Sequence, residues 1–111
     1  MAISATAIAA SPTQTTVYSS SGQTAITTLI FCNTNAYNSS SPTANTVNLT
    51  LYLVPTGSSA NSTNMIVNQL PIPAGETFTF DTEKVVMASG DFVVAVGSVA
   101  GLSCTISYMS V

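Results

Sequence analysis

Apolar and polar residues alternate along most of this chain with a period of two. From Asn45 to Val54, Val47, Leu49, Leu51 and Leu53 point one way while Asn48, Thr50 and Tyr52 point the other. That pattern predicts a half-buried strand. Leu102, Cys104, Ile106 and Tyr108 alternate with Ser103, Thr105 and Ser107, predicting a last strand of the same kind. Phe78 and Phe80 follow the turn Pro73-Ala74-Gly75, and Phe92, Val94 and Val96 follow Ser89-Gly90-Asp91. Thr24 to Asn33 and Asn64 to Leu70 read as further strands, and Gln14 to Tyr18 as a weaker one. Asp81 to Ala88 suits either a short strand or one helical turn capped by Asp81. No segment keeps an apolar period of 3.6 over three turns.

Turn-forming clusters separate these segments: Ser19 to Gly22, Asn38 to Pro42 and Pro55 to Thr63. Strand then turn, roughly every 8 to 12 residues, predicts an antiparallel β-sandwich, jelly-roll-like in its winding. The expected core is Val47, Leu49, Leu51, Leu53, Phe78, Phe80, Val94, Val96 and Ile106. Residues 25–111 form the expected all-β domain. Residues 1–24 read as an extended arm or first weak strands, anchored by Ile3, Ile8, Val17 and Tyr18.

Two segments break the alternation. In Thr24 to Asn33, Ile26, Ile30 and Cys32 fall on one face and Leu29 and Phe31 on the other. Phe92 to Val96 is apolar throughout. A strand apolar on both faces is normally covered on both, so a neighbouring subunit or the N-terminal segment should cover the outside. The expected interface residues are accordingly Ile3, Ile8, Val17, Tyr18, Leu29, Phe31, Tyr37 and Tyr52.

Composition sharpens this picture. Among 111 residues there are one Lys or Arg and four Asp or Glu, with no His and no Trp. The 5% of charged residues compares with roughly a quarter in an ordinary domain. In place of charge stand 16 Ser, 17 Thr and 8 Asn, residues suited to strands, turns and caps rather than helix interiors. A chain that omits surface charge is fitted to being covered.

The missing side chains exclude chemistry as well. Without His there is no ordinary general base near neutral pH, and without Arg no bidentate clamp for phosphate. One lysine cannot supply the several phosphate contacts of nucleic-acid binding or adhesion to an anionic membrane. No apolar run approaches the roughly 18 residues of a spanning helix, and the N-terminus lacks the basic region of a secretory signal. Cys32 and Cys104 then read as two buried, reduced thiols.

The acids Glu76, Asp81, Glu83 and Asp91 match no loop of alternating calcium ligands and read as caps and solubilising groups. A Ser–Lys nucleophile using Lys84 is disfavoured, because neighbouring acids raise the pKa of an amine. Asn38, Asn48 and Asn61 head glycosylation-type tripeptides, which arise by chance in so Asn- and Ser-rich a chain. No catalytic, metal or cofactor residues are assigned.

The order of motifs carries a resemblance. Phe31-Cys32-Asn33-Thr34 ends an apolar strand, and Asn48-Leu49-Thr50-Leu51-Tyr52-Leu53-Val54-Pro55-Thr56-Gly57 forms the next. Leu70-Pro71-Ile72-Pro73-Ala74-Gly75-Glu76-Thr77, Met87-Ala88-Ser89-Gly90-Asp91 and Ser98-Val99-Ala100-Gly101 follow. Over residues 25–111 this resembles a group of small β-sandwich virion proteins of tailed bacteriophages, found as head or tail accessory components. The resemblance implies a non-enzymatic structural protein of the virion, assembled in the host cytoplasm. The first expectation is a capsid cement or decoration protein binding the major capsid protein as a homo-oligomer, with a trimer favoured. A tail, neck or fibre component is the alternative, and from another class a module that grips a surface polysaccharide.

Overall fold

The computed structural model describes residues 2–81 and 85–111 and contains two antiparallel sheets packed face to face. Among the described residues nine strands follow in order: β1 Ala2–Ala7, β2 Thr15–Ser19, β3 Thr24–Asn33, β4 Val47–Val54, β5 Met65–Ile72, β6 Thr77–Phe80, β7 Val85–Met87, β8 Phe92–Gly97 and β9 Leu102–Ser110. The first sheet runs β1-β9-β3-β6, with β7 continuing along the same edge of β3. The second runs β2-β8-β4-β5. Pairing is nested along the chain: β1 with β9, β2 with β8, β3 with β6 and β7, and β4 with β5. Of the ambiguous segment Asp81 to Ala88, Val85–Met87 is strand, and residues 82–84 lie outside the described residues.

Of the two forms expected for residues 1–24, residues 2–24 take the second, first strands rather than an arm. They contribute β1 and β2, one edge strand to each sheet of their own chain. Ile8 and Val17 are consequently buried in the chain's own core rather than held for a partner. Two strands of a sandwich edge need only short alternating stretches, which is why the signal in sequence is weak.

A β-bulge at Thr27 decides which side chains of β3 enter the core. Ile26 faces Tyr108 and Leu29 faces Ile106, yet three residues separate 26 from 29 where two separate 108 from 106. Thr27 is the extra residue, and its Oγ1 donates to Ser107 O or Oγ, both at 3.0 Å. One added residue reverses the side-chain parity beyond it. Ile26, Leu29, Phe31 and Asn33 therefore all point inward and are buried, whereas Ile30 is exposed and Cys32 half-buried on the outside. This overturns Leu29 and Phe31 as interface residues, and also the burial expected of Cys32. A second bulge, at Val17, brings both Val17 and Tyr18 inward opposite Val93.

Strand β8 also faces opposite to expectation. Val93 and Ala95 line the core, while Val94 and Val96 lie on the outer face. Where every position is apolar, periodicity cannot choose a face; volume does. Register places Leu49 beside Gly97, Leu51 beside Ala95 and Leu53 beside Val93. Large side chains on β4 thus fill the room that small ones leave on β8. Gly97 is held to this by crowding, since an added Cβ would lie 3.1 Å from Val47 Cγ1 and 3.0 Å from Val99 O. Of the remaining expected core, Val47, Leu49, Leu51 and Ile106 are fully buried, and Leu53, Phe78 and Phe80 pack against them half-buried.

Asn33 closes one end of the sandwich. Fully buried, it donates from Nδ2 to Asn45 O and Ile72 O, each at 2.8 Å, and accepts from Asn35 N–H at 3.0 Å. Among the described residues no buried side-chain nitrogen or oxygen lacks a partner, as a core of this polarity requires.

Parity yields a test. Deleting Thr27 restores plain alternation with Ile26, Leu29 and Phe31 still inward, so the variant should fold, weakened by about 1 to 2 kcal/mol for the lost hydroxyl bonding and local geometry. Deleting Ile30 turns Phe31 and Asn33 outward and should abolish the cooperative unfolding transition. Circular dichroism melts of the two deletions check this, and the opposite order of damage would contradict the bulge.

Candidate functional site

Register defines the outer face of the first sheet. Ile3, Ala5 and Ala7 of β1 lie beside Ser107, Thr105 and Ser103 of β9, which lie beside Thr28, Ile30 and Cys32 of β3. Thr79 and Thr77 of β6 continue two of these rows, and Ala25, Met109 and Val86 form another. Among the described residues of these rows every side chain is small or apolar, and none is charged. Ile3 is 74% exposed and Val86 70%.

The outer face of the second sheet is different in texture. Tyr52 of β4 lies beside Val94, with Thr16 of β2 on the other side and Met65 of β5 beyond. Val54 and Phe92 form the adjacent row. Val94, Thr50 and Val54 are buried on that outer side, and Tyr52, Phe92 and Val96 are half-buried. A central strand whose outward residues are large and apolar lets neighbouring side chains shield one another from water.

The expected interface residues do not converge. Ile3 stands on the first sheet's face at its β1 edge, Tyr52 on the second sheet, and Tyr37, 59% exposed, in the loop between β3 and β4. Tyr18 turns inward: its ring centroid lies 4.7 Å from that of Tyr108, and its hydroxyl is 3.4 Å from Thr24 Oγ1. Ile8, Val17, Leu29 and Phe31 belong to the core. The residues that sequence reasoning missed are the polar halves of its own alternations. Ser103, Thr105 and Ser107 were legible as one face of the last strand, and Thr77 and Thr79 as one face of β6.

Among the described residues the charged side chains, Glu76, Asp81 and Asp91, all lie outside the strands. The carboxylate of Asp91 clasps two loops: Thr56 N–H donates to Oδ1 at 2.9 Å, Thr56 Oγ1 to Oδ1 at 3.0 Å, and Ala88 N–H to Oδ2 at 2.9 Å. These bonds, first the backbone donors of Thr56 and Ala88 and then the Thr56 hydroxyl, lower its pKa below the ordinary 3.8. Gly90 next to it has φ +90°, and an added Cβ would lie 2.6 Å from Thr56 Oγ1, so the clasp needs glycine there. Among the described residues no group of three or more His, Cys, Asp or Glu side chains is arranged to hold a metal ion. Glu83 and Lys84, named above as a candidate ligand and a candidate catalytic amine, lie outside the described residues.

The Asn-rich turns use their side chains on their own backbone. Asn38 Oδ1 accepts from Ser40 N–H at 3.0 Å, and Asn61 Oδ1 from Thr63 N–H at 2.8 Å. A shallow depression of about 180 Å³ is lined by Leu53, Val54, Pro55, Val85, Val86, Met87, Asp91 and Phe92. Its charged group is the Asp91 carboxylate, already engaged by the two loops.

The two thiols are free and lie on opposite faces of the first sheet. Register sets Cys104 beside Phe31 and Cys32 beside Ser103, so the Cβ vectors diverge and a bridge is excluded. Burial pushes the Cys104 thiol up to about 12. The chain matches no protein-family model, no curated protein and no solved structure.

Two predictions follow from the thiols and the clasp. In the native protein a maleimide reagent should label Cys32 and leave Cys104 unlabelled until denaturant is added; equal labelling, read by peptide mass spectrometry, would contradict the assigned faces. For Asp91, a lowered folded pKa means stabilisation that is complete above the ordinary value of 3.8 and is lost as pH falls through the folded value. Asp91→Asn should therefore lower the melting temperature near neutral pH, and the gap to wild type should close in acid. A gap that persists unchanged well below pH 3.8 would show that the charge plays no part.

Proposed function

We propose that this chain is a non-enzymatic structural protein of a virion, a capsid cement or decoration protein that acts as a homo-oligomer on the major capsid protein. The observation that carries the reading is the outer face of the first sheet, which among the described residues is uncharged and built from rows of Ser, Thr, Ala and Ile. Such a face repels no neighbour and asks for no counter-charge. Its mechanism is additive burial: each subunit covers surface on its neighbours, and separating them exposes that area again.

The nested strand pairing supports the same reading. Joining first strand to last, second to next-to-last and so inward is how a jelly roll is wound, and jelly rolls recur in viral capsid domains. The tail, neck or fibre position remains the alternative within this class. A polysaccharide-binding reading draws on Tyr37, which stands exposed beside the Asn38–Pro42 turn, since exposed aromatic rings stack on sugars and jelly rolls also serve as lectins.

Immunogold electron microscopy of particles purified from the source culture discriminates these. Label distributed over the head supports the cement reading. Label confined to the tail moves the protein to the alternative. Absence from particles together with retention on a glycan surface, lost in Tyr37→Ala, would replace the virion reading by the sugar-binding one.

A further inference from the structure

The four outer edges of the sandwich are not equally defended. On the second sheet, β2 carries the bulge at Val17, and β5 carries Pro71, a positive φ of 57° at Gln69 and an irregular register. On the first sheet, the far edge is split between β6 and β7, and Asp81, Glu83 and Lys84 fall between them in sequence. Bulges, prolines, breaks and charges are the devices that keep an open edge from pairing with another chain. Strand β1 has none of them. It is Ala-Ile-Ser-Ala-Thr-Ala, regular over six paired positions, and it has a strand on one side alone among the described residues.

The direction of its free backbone groups follows from one bond. Ile8 N–H donates to Leu102 O at 2.9 Å, across to β9. Bonding direction alternates residue by residue in an antiparallel pair, so Ala2, Ser4 and Thr6 bond toward β9. Ile3, Ala5 and Ala7 present N–H and C=O to the open side, and all three are exposed.

We propose that two copies of this chain join through β1, antiparallel and about a two-fold axis at Ala5, so that the first sheets of both run on as one. In the register that uses all three free residues, Ala5 faces Ala5 of the second copy and Ile3 faces its Ala7. Side chains then stay on their own face across the junction. The largest exposed side chain of β1 lies against the smallest kind, and six backbone hydrogen bonds close the seam. A second copy is the occupant this edge fits because the bonding set 3, 5, 7 is symmetric about its own centre and carries no charge to repel itself. The arrangement closes: both β1 edges are consumed, and the broken β6/β7 edges at the far ends do not continue the sheet. The inference deepens the homo-oligomer reading above and rests on it, giving two-fold symmetry where the resemblance favoured a trimer.

Sedimentation velocity tests it. The wild-type chain should sediment at twice its 11.3 kDa mass. Ala5→Pro removes a donor that makes no bond within the subunit, so it should keep the circular dichroism of the fold and raise the dimer dissociation constant by about tenfold or more. Ala5→Lys and Ala5→Glu, each placing like charges at the axis, should each be monomeric, and mixing the two should restore the dimer. A monomeric wild type, an Ala5→Pro variant that stays dimeric, or a mixture of the charged variants that stays monomeric would overturn the pairing. A monomer that still decorates heads by immunogold fails the pairing alone; a dimer found on no particle fails the functional reading alone.

Discussion

The extra residue at Thr27 is the constraint on which the rest of the sandwich depends. Strand β3 is central in the first sheet and pairs along nearly its whole length with β9. Without the bulge, Ile26 and Phe31 would stand on opposite faces, and one end of the strand would always be wrong. With it, Ile26, Leu29 and Phe31 form a continuous inward row, and Asn33 arrives inside at the strand's end. That amide then ties together the segment before β4, the end of β5 and the loop after β3 through Asn45, Ile72 and Asn35. A single insertion thus sets both the apolar core and the polar latch at its end.

Among the described residues, hydrogen bonds from uncharged groups order loops and strand ends. Thr34 Oγ1 and Asn35 Nδ2 hold Gly101 O and Ala100 O, at 2.6 and 3.0 Å. Ser98 Oγ accepts from Asn48 N–H at 2.8 Å. Ser20 Oγ and Thr24 Oγ1, both buried, lie 3.1 Å apart, and Ser20 Oγ also donates to Gly22 O. Each contact joins different segments of the chain or shapes a turn. Asp91 spends its charge on fixing two loops.

Much of this was legible in the sequence. Strands with strict alternation and one polar face, β4 and β9, were readable with their inward residues, because a one-residue slip would have exposed every apolar side chain. The turns were readable from Gly, Pro and Asn. What failed was parity wherever alternation was interrupted or absent. In β3 the bulge is invisible without the partner strand, since Thr27-Thr28 reads equally as one polar position or two. In β8 five apolar residues in a row carry no phase, and the small residues Ala95 and Gly97 were the neglected clue, being inward where β4 brings its leucines. β1 was hidden for a related reason: an edge strand of Ala, Ser and Thr with one exposed Ile buries too little to leave a pattern. The interface residues misassigned at Leu29 and Phe31 were misassigned by this same unseen phase change.

The neutral outer faces have a consequence in brine. Contacts made by charged side chains fade as dissolved ions crowd around them, and by molar salt their reach shrinks to roughly 3 Å. The face of Ser103, Thr105, Ile30 and Ile3 has nothing for ions to crowd around. Strongly hydrated salts, by being excluded from such a surface, drive it toward contact instead. Contacts made through this face would therefore persist as salt rises, where contacts between charges fade, and would tighten in strongly hydrated salts.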